Sequence, residues 1–166
     1  MTALSRPAAA AQTLRDLFAR LPYAPLALLA RVAIAAVFWK SGQTKVEGFA
    51  IDLVEGSFQL GWPRLSDTAV ALFRDEYRLP LLPPELGALL AALGEHVLPV
   101  LLLAGLGTRL AAAGLLVMTA VIQLLVYPGA WPTHFTWAAL LLMLMSQGPG
   151  AWSLDALLVR ARGGRG

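Results

Sequence analysis

Hydrophobic residues fall into four long blocks along the chain, separated by glycine, proline and charged residues. The blocks cover roughly residues 25–45, 84–105, 108–127 and 132–147. About 20 helical residues cross the hydrocarbon core of a bilayer, so the first three blocks are long enough to span it. The fourth block is shorter and begins with the polar and aromatic residues that are typical of a membrane interface. This pattern predicts four membrane-spanning helices.

Two shorter segments have the pattern of helices with one apolar face. In residues 12–21, four apolar side chains follow the helical spacing i, i+3, i+4 and i+7: Leu14, Leu17, Phe18 and Leu21. Ser153 is placed to cap a second short helix that carries several leucines. We expect both helices to lie along the membrane surface.

The long segment 48–82 separates the first two blocks and is predicted to be an extracytoplasmic loop. It contains a short helical candidate with Ser66 as N-cap and Asp67 in the first turn. The predicted fold class is therefore all-α: an integral membrane four-helix bundle with amphipathic interfacial helices near both chain ends. A single membrane domain over residues 1–166 accommodates all of these elements.

The composition agrees with a membrane location. Hydrophobic residues make up 58% of the chain and charged residues 14%, whereas a soluble domain is about a quarter charged. The chain has no cysteine, which removes disulfides, iron–sulfur ligation and covalently attached c-type haem. We expect no metal site and no covalently bound cofactor. A redox role would therefore require a cofactor that is supplied from outside the chain.

The net charge of +3 does not form a nucleic-acid-binding patch, because the basic residues lie at the ends of the apolar blocks. Anionic lipid headgroups are the expected partner, and no nucleic acid. Eight lysines and arginines, Arg165 among them, fall on the side of the chain ends and five on the other side. The positive-inside rule therefore predicts a multi-pass protein with both termini in the cytoplasm.

Charged residues inside the apolar blocks need a partner, because a charge at the centre of a spanning helix costs about 2.5 to 3.5 kcal/mol. Glu95 shares a helix face with Ala88 and Ala92 and is expected to point inward. At a rise of about 1.5 Å per residue, Glu95 and Arg31 lie at compatible depths. We predict a buried ion pair between them, which either fixes helix register or carries a proton or anchors a ligand.

A second group of polar and aromatic residues is predicted near the outer ends of the helices. Its members are Ser41, Lys45, Gln123, Tyr127, His134 and Trp137. Aromatic rings with a few hydrogen-bonding groups suit a flat, partly apolar molecule such as a quinone headgroup. The alternative is an ordinary interfacial aromatic belt. His96 and His134, the only histidines, differ in predicted depth by about 15 Å, which argues against a bis-histidine haem.

Several separated motifs together resemble the DoxX family of small four-helix membrane proteins. These motifs are RVAIAAVFWKSGQTKVEGF, FRDEYRLPLLPPELGALLAALGEHVLPVLLLAGLGTRLAA, VIQLLVYPGAWPTHFTWAALLL and GPGAWSLD. The resemblance covers about residues 26–158 and points to the branch that ends in Gly-Pro-Gly and Ser-Leu-Asp. Ten residues of this chain match positions of the family's motifs: Arg31, Ser41, Gly42, Lys45, Glu95, Pro99, Thr108, Arg109, His134 and Trp137.

The resemblance implies a membrane subunit of a thiosulfate:quinone oxidoreductase, a membrane partner in thiol and peroxide defence, or a companion of metal-stress operons. The leading prediction is a bacterial inner-membrane subunit or partner of a redox or stress-defence system that binds a quinone or similar molecule near the outer face. A protein partner would supply the electrons, and whether the chain is itself part of an enzyme stays open. The alternative is a non-enzymatic transporter, which at this length would need to form a homo-oligomer, or a membrane scaffold.

Overall fold

The computed structural model describes residues 6–52 and 56–163 of the chain. The remaining residues of the predicted domain 1–166 lie outside the described part, and Arg165 is one of them. The described residues form seven α-helices and one β-hairpin. The helices are α1 (Arg6–Ala19), α2 (Tyr23–Gln43), α3 (Asp67–Leu72), α4 (Pro84–Ala104), α5 (Thr108–Val121), α6 (Trp131–Gln147) and α7 (Leu154–Gly163).

Short irregular turns extend two of these helices. A π-helical turn, Phe73–Tyr77, continues α3, and another, Ile122–Val126, continues α5. A 3₁₀ turn, Pro128–Ala130, then leads into α6. The predicted helix caps are confirmed, since the Ser66 hydroxyl accepts the Thr68 N–H at the start of α3 and Ser153 accepts the Ala156 N–H in α7.

Helices α2, α4, α5 and α6 pack in a ring, each antiparallel to its neighbours in the ring. Large apolar side chains fill the centre: Ile34, Phe38, Leu102, Leu115, Leu141 and Leu144. Small residues let the helices approach closely, and a Cβ added to Gly94 would lie 2.9 Å from the sulfur of Met118. The helix bounds fall close to those of the four predicted spans.

Three helices of the described part are long and apolar enough to cross a membrane: Tyr23–Gln43, Pro84–Ala104 and Thr108–Val126. The outward faces of these helices are rich in exposed leucine and valine, including Leu29, Leu93 and Val117. Helix α6 has 17 residues, or about 25 Å of helix against a hydrocarbon core of about 30 Å. A crossing by α6 therefore stays a prediction.

The all-α prediction is wrong for the long segment between α2 and α4, which contains a β-hairpin. Strand β1 (Val46–Asp52) pairs antiparallel with β2 (Ser57–Leu65), and an irregularity lies between Glu47 and Phe49. The irregularity is a β-bulge at which the two backbones approach closely: a Cβ on Gly61 would lie 2.5 Å from the carbonyl oxygen of Gly48. Gly48 itself has φ +80°, a conformation that glycine adopts readily. These glycines therefore allow the paired strands to form.

The hairpin is attached to the helices by hydrogen bonds at Ile51. The indole N–H of Trp39 donates to the Ile51 carbonyl at 3.1 Å, and the Ile51 N–H donates to Gln43 Oε1 at 2.7 Å. Gln43 Nε2 lies 2.8 Å from His96 Nε2, and His96 Nδ1 lies 2.7 Å from the Ala92 carbonyl oxygen. His96 thus joins α4 to α2 and, through Gln43, to the hairpin.

Two ends of the bundle are distinguished below. The hairpin end carries the hairpin, α3 and the turn from α5 to α6. The terminal end carries α1, the turn from α4 to α5, and α7. If the predicted orientation holds, the hairpin end faces away from the cytoplasm.

Candidate functional site

A cavity of about 400 Å³ lies inside the bundle at the hairpin end. Helices α2, α4, α5 and α6 supply its walls, and the segment 73–83 supplies further lining from the side of α3. Its lining is mostly apolar and includes Phe38, Leu90, Met118, Val121 and Trp137. Both the volume and the apolar character are typical of small-molecule sites.

One wall of the cavity carries a buried polar triad of Ser41, Lys45 and Glu95. Lys45 Nζ lies 2.7 Å from Glu95 Oε2, and both side chains are only 4% exposed. The Ser41 hydroxyl donates to Glu95 Oε1 at 3.1 Å. Lys45 also donates to the Ser41 hydroxyl and carbonyl oxygens, at 3.1 and 3.3 Å. The triad balances its own charge within a few ångströms.

The predicted ion pair between Arg31 and Glu95 is wrong, because α2 and α4 are not level. Glu95 lies beside the last turn of α2, where a Cβ on Gly42 would be 3.0 Å from the Glu95 Cβ. The outer turns of α4 extend beyond α2 and pack against Phe73, which a Cβ on Gly87 would approach to 2.8 Å. Glu95 therefore meets Lys45 at the end of α2 instead of Arg31 further along it.

Arg31 lies at the terminal end, where backbone carbonyls surround its guanidinium group. It is 1% exposed and donates to the carbonyl oxygens of Leu103, at 3.1 Å, and Trp152. Nearby, the carboxylate of Asp155 accepts the N–H groups of Gly107 and Thr108 at 2.8 and 3.0 Å and so caps α5. Sequence reasoning missed this contact, although the Ser-Leu-Asp motif contains Asp155.

These hydrogen bonds determine the acidity of Asp155. Burial acts to raise its pKa, but the backbone N–H bonds from Thr108 and Gly107 act in the opposite direction, with a smaller contribution from the charge of Arg31. The net effect is a pKa below the ordinary value of an aspartate. Asp155 is therefore ionised at neutral pH, the state in which it caps α5 best.

A second polar pair, His134 and Gln123, lies on the α5–α6 side of the cavity. His134 Nδ1 lies 2.7 Å from Gln123 Oε1, and Gln123 Nε2 donates to the Pro128 carbonyl oxygen at 2.8 Å. His134 is 4% exposed, and its ring lies 5.1 Å from that of Trp137. His134 and Trp137 line the cavity, whereas Gln123 lies behind His134.

Two tyrosines lie where the cavity meets the segment 73–83. The Tyr127 hydroxyl donates to Glu76, and the rings of Tyr77 and Tyr127 meet edge to face at 5.7 Å. The hydrogen bond to Glu76 raises the pKa of Tyr127, and burial raises the pKa of Tyr77. Both phenols are therefore protonated at neutral pH. Sequence reasoning did not place Tyr77 or Glu76 in the candidate site, because their segment was predicted to be an extracytoplasmic loop with a short helix.

The rim of the cavity is apolar on the outer surface of the bundle. Leu90 of α4 and Val117 of α5 both line the cavity and are 51% and 64% exposed. Apolar side chains of α4 and α5 therefore extend from the cavity to the outer surface of the bundle.

The structure brings together five of the six predicted ligand-binding residues. Ser41, Lys45, Tyr127, His134 and Trp137 line one cavity, and Gln123 contacts it through His134. Glu95 joins them, whereas Arg31 lies away from them at the terminal end. Binding of a ligand by these residues stays a prediction.

Comparison with known proteins gave one family match. The family model DoxX matches residues 26–128, which include most of α2 and all of the hairpin, α4 and α5. No curated protein and no solved structure matches the chain.

Proposed function

The chain belongs to the DoxX family of membrane proteins, and on this premise we propose that it holds a quinone or a similar lipophilic small molecule in the cavity at the hairpin end. The observation that supports this proposal is a cavity of about 400 Å³ with apolar walls and one polar triad, in which the charges of Lys45 and Glu95 are opposite and adjacent. Because Lys45 and Glu95 neutralise each other, the site favours a ligand without net charge. The volume suits a headgroup, and an isoprenoid tail would leave between Leu90 and Val117.

The proposed biological role is that of a membrane subunit or partner in a redox or stress-defence system. The cysteine-free chain offers no thiolate ligand for a redox centre of its own, so we assign the supply of electrons to a protein partner. In this proposal the protein is an oxidoreductase subunit of the plasma membrane, with the hairpin end outside. A partner protein would then reach the cavity from the extracytoplasmic side.

The test is to purify the protein in a mild detergent and to measure co-purified quinones by mass spectrometry. Ala91 lines the cavity, whereas Ala120 is exposed on α5. An Ala91→Trp variant fills the cavity, and an Ala120→Trp variant is the matched control. We expect near-stoichiometric quinone with the wild type and the control, and little with Ala91→Trp. Absence of quinone from the wild type, or equal amounts in all three proteins, would contradict the proposal.

A scaffold role is the second candidate, and the hairpin favours it. Phe58, Leu60 and Trp62 of β2 are all largely exposed and give the hairpin an apolar strip along this strand. Replacing the three with serine would abolish assembly with a partner in this case, while the quinone content stays unchanged. Loss of function upon filling the cavity, with the strip intact, would favour the ligand-binding role instead.

A further inference from the structure

The hydrogen bonds around His134 determine which of its ring nitrogens carries hydrogen. Gln123 Nε2 donates to the carbonyl oxygen of Pro128, which can only accept. This contact orients the amide, so that Gln123 Oε1 faces His134 Nδ1 at 2.7 Å. Because Oε1 also can only accept, Nδ1 carries the hydrogen, and Nε2 of the neutral ring is unprotonated.

His134 therefore presents a hydrogen-bond acceptor to the cavity. Its ring lines the cavity, and Nε2 has no hydrogen-bond partner among residues 6–52 and 56–163. A ligand group that meets this nitrogen must donate a hydrogen to pair with it.

The triad on the opposite side of the site also uses its donors internally. Lys45 Nζ has three oxygen neighbours within the triad, the Ser41 carbonyl, the Ser41 hydroxyl and Glu95 Oε2, which match its three N–H groups in number. The Ser41 hydroxyl gives its hydrogen to Glu95 Oε1. A carboxylate has about four acceptor positions, so Glu95 retains acceptor capacity after both contacts. Glu95 lines the cavity and is the second acceptor offered to a ligand.

The remaining polar side chains of the lining supply donors. The Tyr127 hydroxyl gives its hydrogen to Glu76, whereas the Tyr77 hydroxyl, which also lines the cavity, has no acceptor among the described residues. The indole N–H of Trp137 has no partner within the described part of the chain, so it is available as a donor. A ligand hydroxyl satisfies both kinds of group, since its oxygen accepts from an N–H while its hydrogen is donated.

We propose that the cavity binds the reduced, dihydroxy form of its lipophilic ligand, a quinol, in preference to the quinone, with His134 Nε2 and Glu95 accepting the two hydroxyl hydrogens. This inference rests on the proposed function and specifies which form of the ligand the site prefers. A quinone carbonyl has no hydrogen to donate and leaves both acceptors unpaired, and unpaired buried polar groups are the strongest source of discrimination between such analogues. A cationic amine also donates, but Lys45 already balances the charge of Glu95, and burying a further charge in an apolar cavity is unfavourable.

The test compares three small probes that share one ring and its four methyl groups: tetramethyl-1,4-benzoquinone, its hydroquinone, and the dimethyl ether of that hydroquinone. Binding is measured anaerobically on the full chain in nanodiscs after its native lipids have been exchanged. We expect the hydroquinone to bind at least tenfold more tightly than the quinone or the dimethyl ether. His134→Phe keeps an aromatic ring without the acceptor and should remove most of this preference. Phe135→Leu changes the exposed neighbour of His134 on α6 and should leave it unchanged.

The outcomes separate this inference from the proposed function. If none of the three probes binds to the wild type, the proposed function fails, and this inference fails with it. If all three bind equally, or the quinone binds most tightly, the ligand site stands and the preference for the quinol is overturned. A nitrogen-15 NMR spectrum of the wild type tests the protonation of His134 without any variant. An unprotonated Nε2 supports the inference, and a protonated Nε2 overturns it.

Discussion

The buried charges of Arg31, Lys45 and Glu95 each have polar partners within hydrogen-bonding distance. Lys45 and Glu95 form an ion pair beside the cavity, and the guanidinium group of Arg31 lies against two backbone carbonyls at the opposite end. Most of the buried polar atoms are paired in this way, although Arg31 Nε has no hydrogen-bond partner within the described part of the chain. The removal of one member should therefore affect stability strongly.

Replacing Glu95 with alanine leaves Lys45 buried without a counter-charge, and we expect it to lower the free energy of unfolding by about 3 to 5 kcal/mol. The double variant Lys45→Met/Glu95→Leu should recover most of this loss, because it removes both charges. Lys40→Met is the control, since Lys40 is exposed on α2. Unfolding by denaturant in detergent measures all three. A double variant as unstable as Glu95→Ala would contradict this account.

The cap that Asp155 forms on α5 predicts a pH dependence. Its pKa is lower in the folded chain, so its contribution to stability is complete above the unfolded pKa of about 4 and disappears as the pH falls through the lower folded value. We expect Asp155→Ala to lower the unfolding free energy at pH 7 by about 1 kcal/mol. Thermal unfolding as a function of pH should show the two proteins converging below pH 4. A constant difference down to pH 2 would exclude ionisation as the cause.

Helical periodicity predicted correctly that Glu95, Arg31 and Lys45 point inward, yet it paired Glu95 with the wrong cation. Spacing along one helix determines which face a residue occupies, but the depth of one helix relative to another depends on where each begins. Here α4 extends outward past the end of α2, and its outer turns pack against the π-helical turn after α3 at Gly87. The sequence pattern of either helix alone does not reveal this difference in depth between α2 and α4.

At the scale of elements, glycine conformations determine how the helices connect. Gly105 ends α4 with φ +69°, and Gly107 precedes α5 with φ +57°. The turn between them brings α5 back against α4 and places its first N–H groups at Asp155. The two glycines share a left-handed conformation and differ in their surroundings, which makes them a matched pair.

Gly105→Ala should be clearly more destabilising than Gly107→Ala. Both variants introduce strain of about 1 kcal/mol, because alanine disfavours a positive φ. At Gly105 the new Cβ would also lie 2.5 Å from the Cβ of Ser153 and against the guanidinium group of Arg31, whereas nothing lies within 4 Å at Gly107. Comparing the unfolding free energies of the two variants checks the difference. Equal losses would show that the turn relaxes freely.

The sequence predicted the long helices well because their apolar blocks end at glycine, proline and charge. It did not predict the hairpin, although Phe58, Leu60 and Trp62 alternate as a strand does. Pro63 and several glycines in the same segment favour a loop. The hairpin accommodates Pro63 and Gly61 because the strand pairing is irregular there, opposite Gly48. Strand pairing depends on contacts across the hairpin, which a reading of local pattern does not contain.

At the scale of the whole molecule, the two ends of the bundle have different chemistry. The hairpin end contains the cavity, the triad and the exposed apolar strip of β2. The terminal end contains the buried Arg31 contact and the short helices α1 and α7, whose leucines are exposed. The family assignment made from the sequence is confirmed by the family match over residues 26–128. The orientation of these ends across the membrane stays a prediction.

Cysteine labelling tests this orientation directly, since the chain has no cysteine of its own. Leu81 at the hairpin end is fully exposed, and Val159 on α7 is exposed at the terminal end. We expect a membrane-impermeant maleimide to label Leu81→Cys in intact cells, and Val159→Cys only after the membrane is permeabilised. The unsubstituted chain is the control for background labelling. The reverse pattern would contradict the predicted orientation.

The positions of the partners of Arg31 and Lys45 along the chain have a consequence for biosynthesis. Arg31 lies in α2, the first long helix to be synthesised, and Lys45 follows directly after it, whereas Glu95 follows Lys45 by fifty positions and Trp152 follows Arg31 by 121. When α2 leaves the translocon, neither cation has its final partner. Lys45 therefore lacks its counter-charge until α4 is inserted, and Arg31 acquires its last carbonyl only when the turn before α7 is translated. The first long helix is thus among the last to be completed.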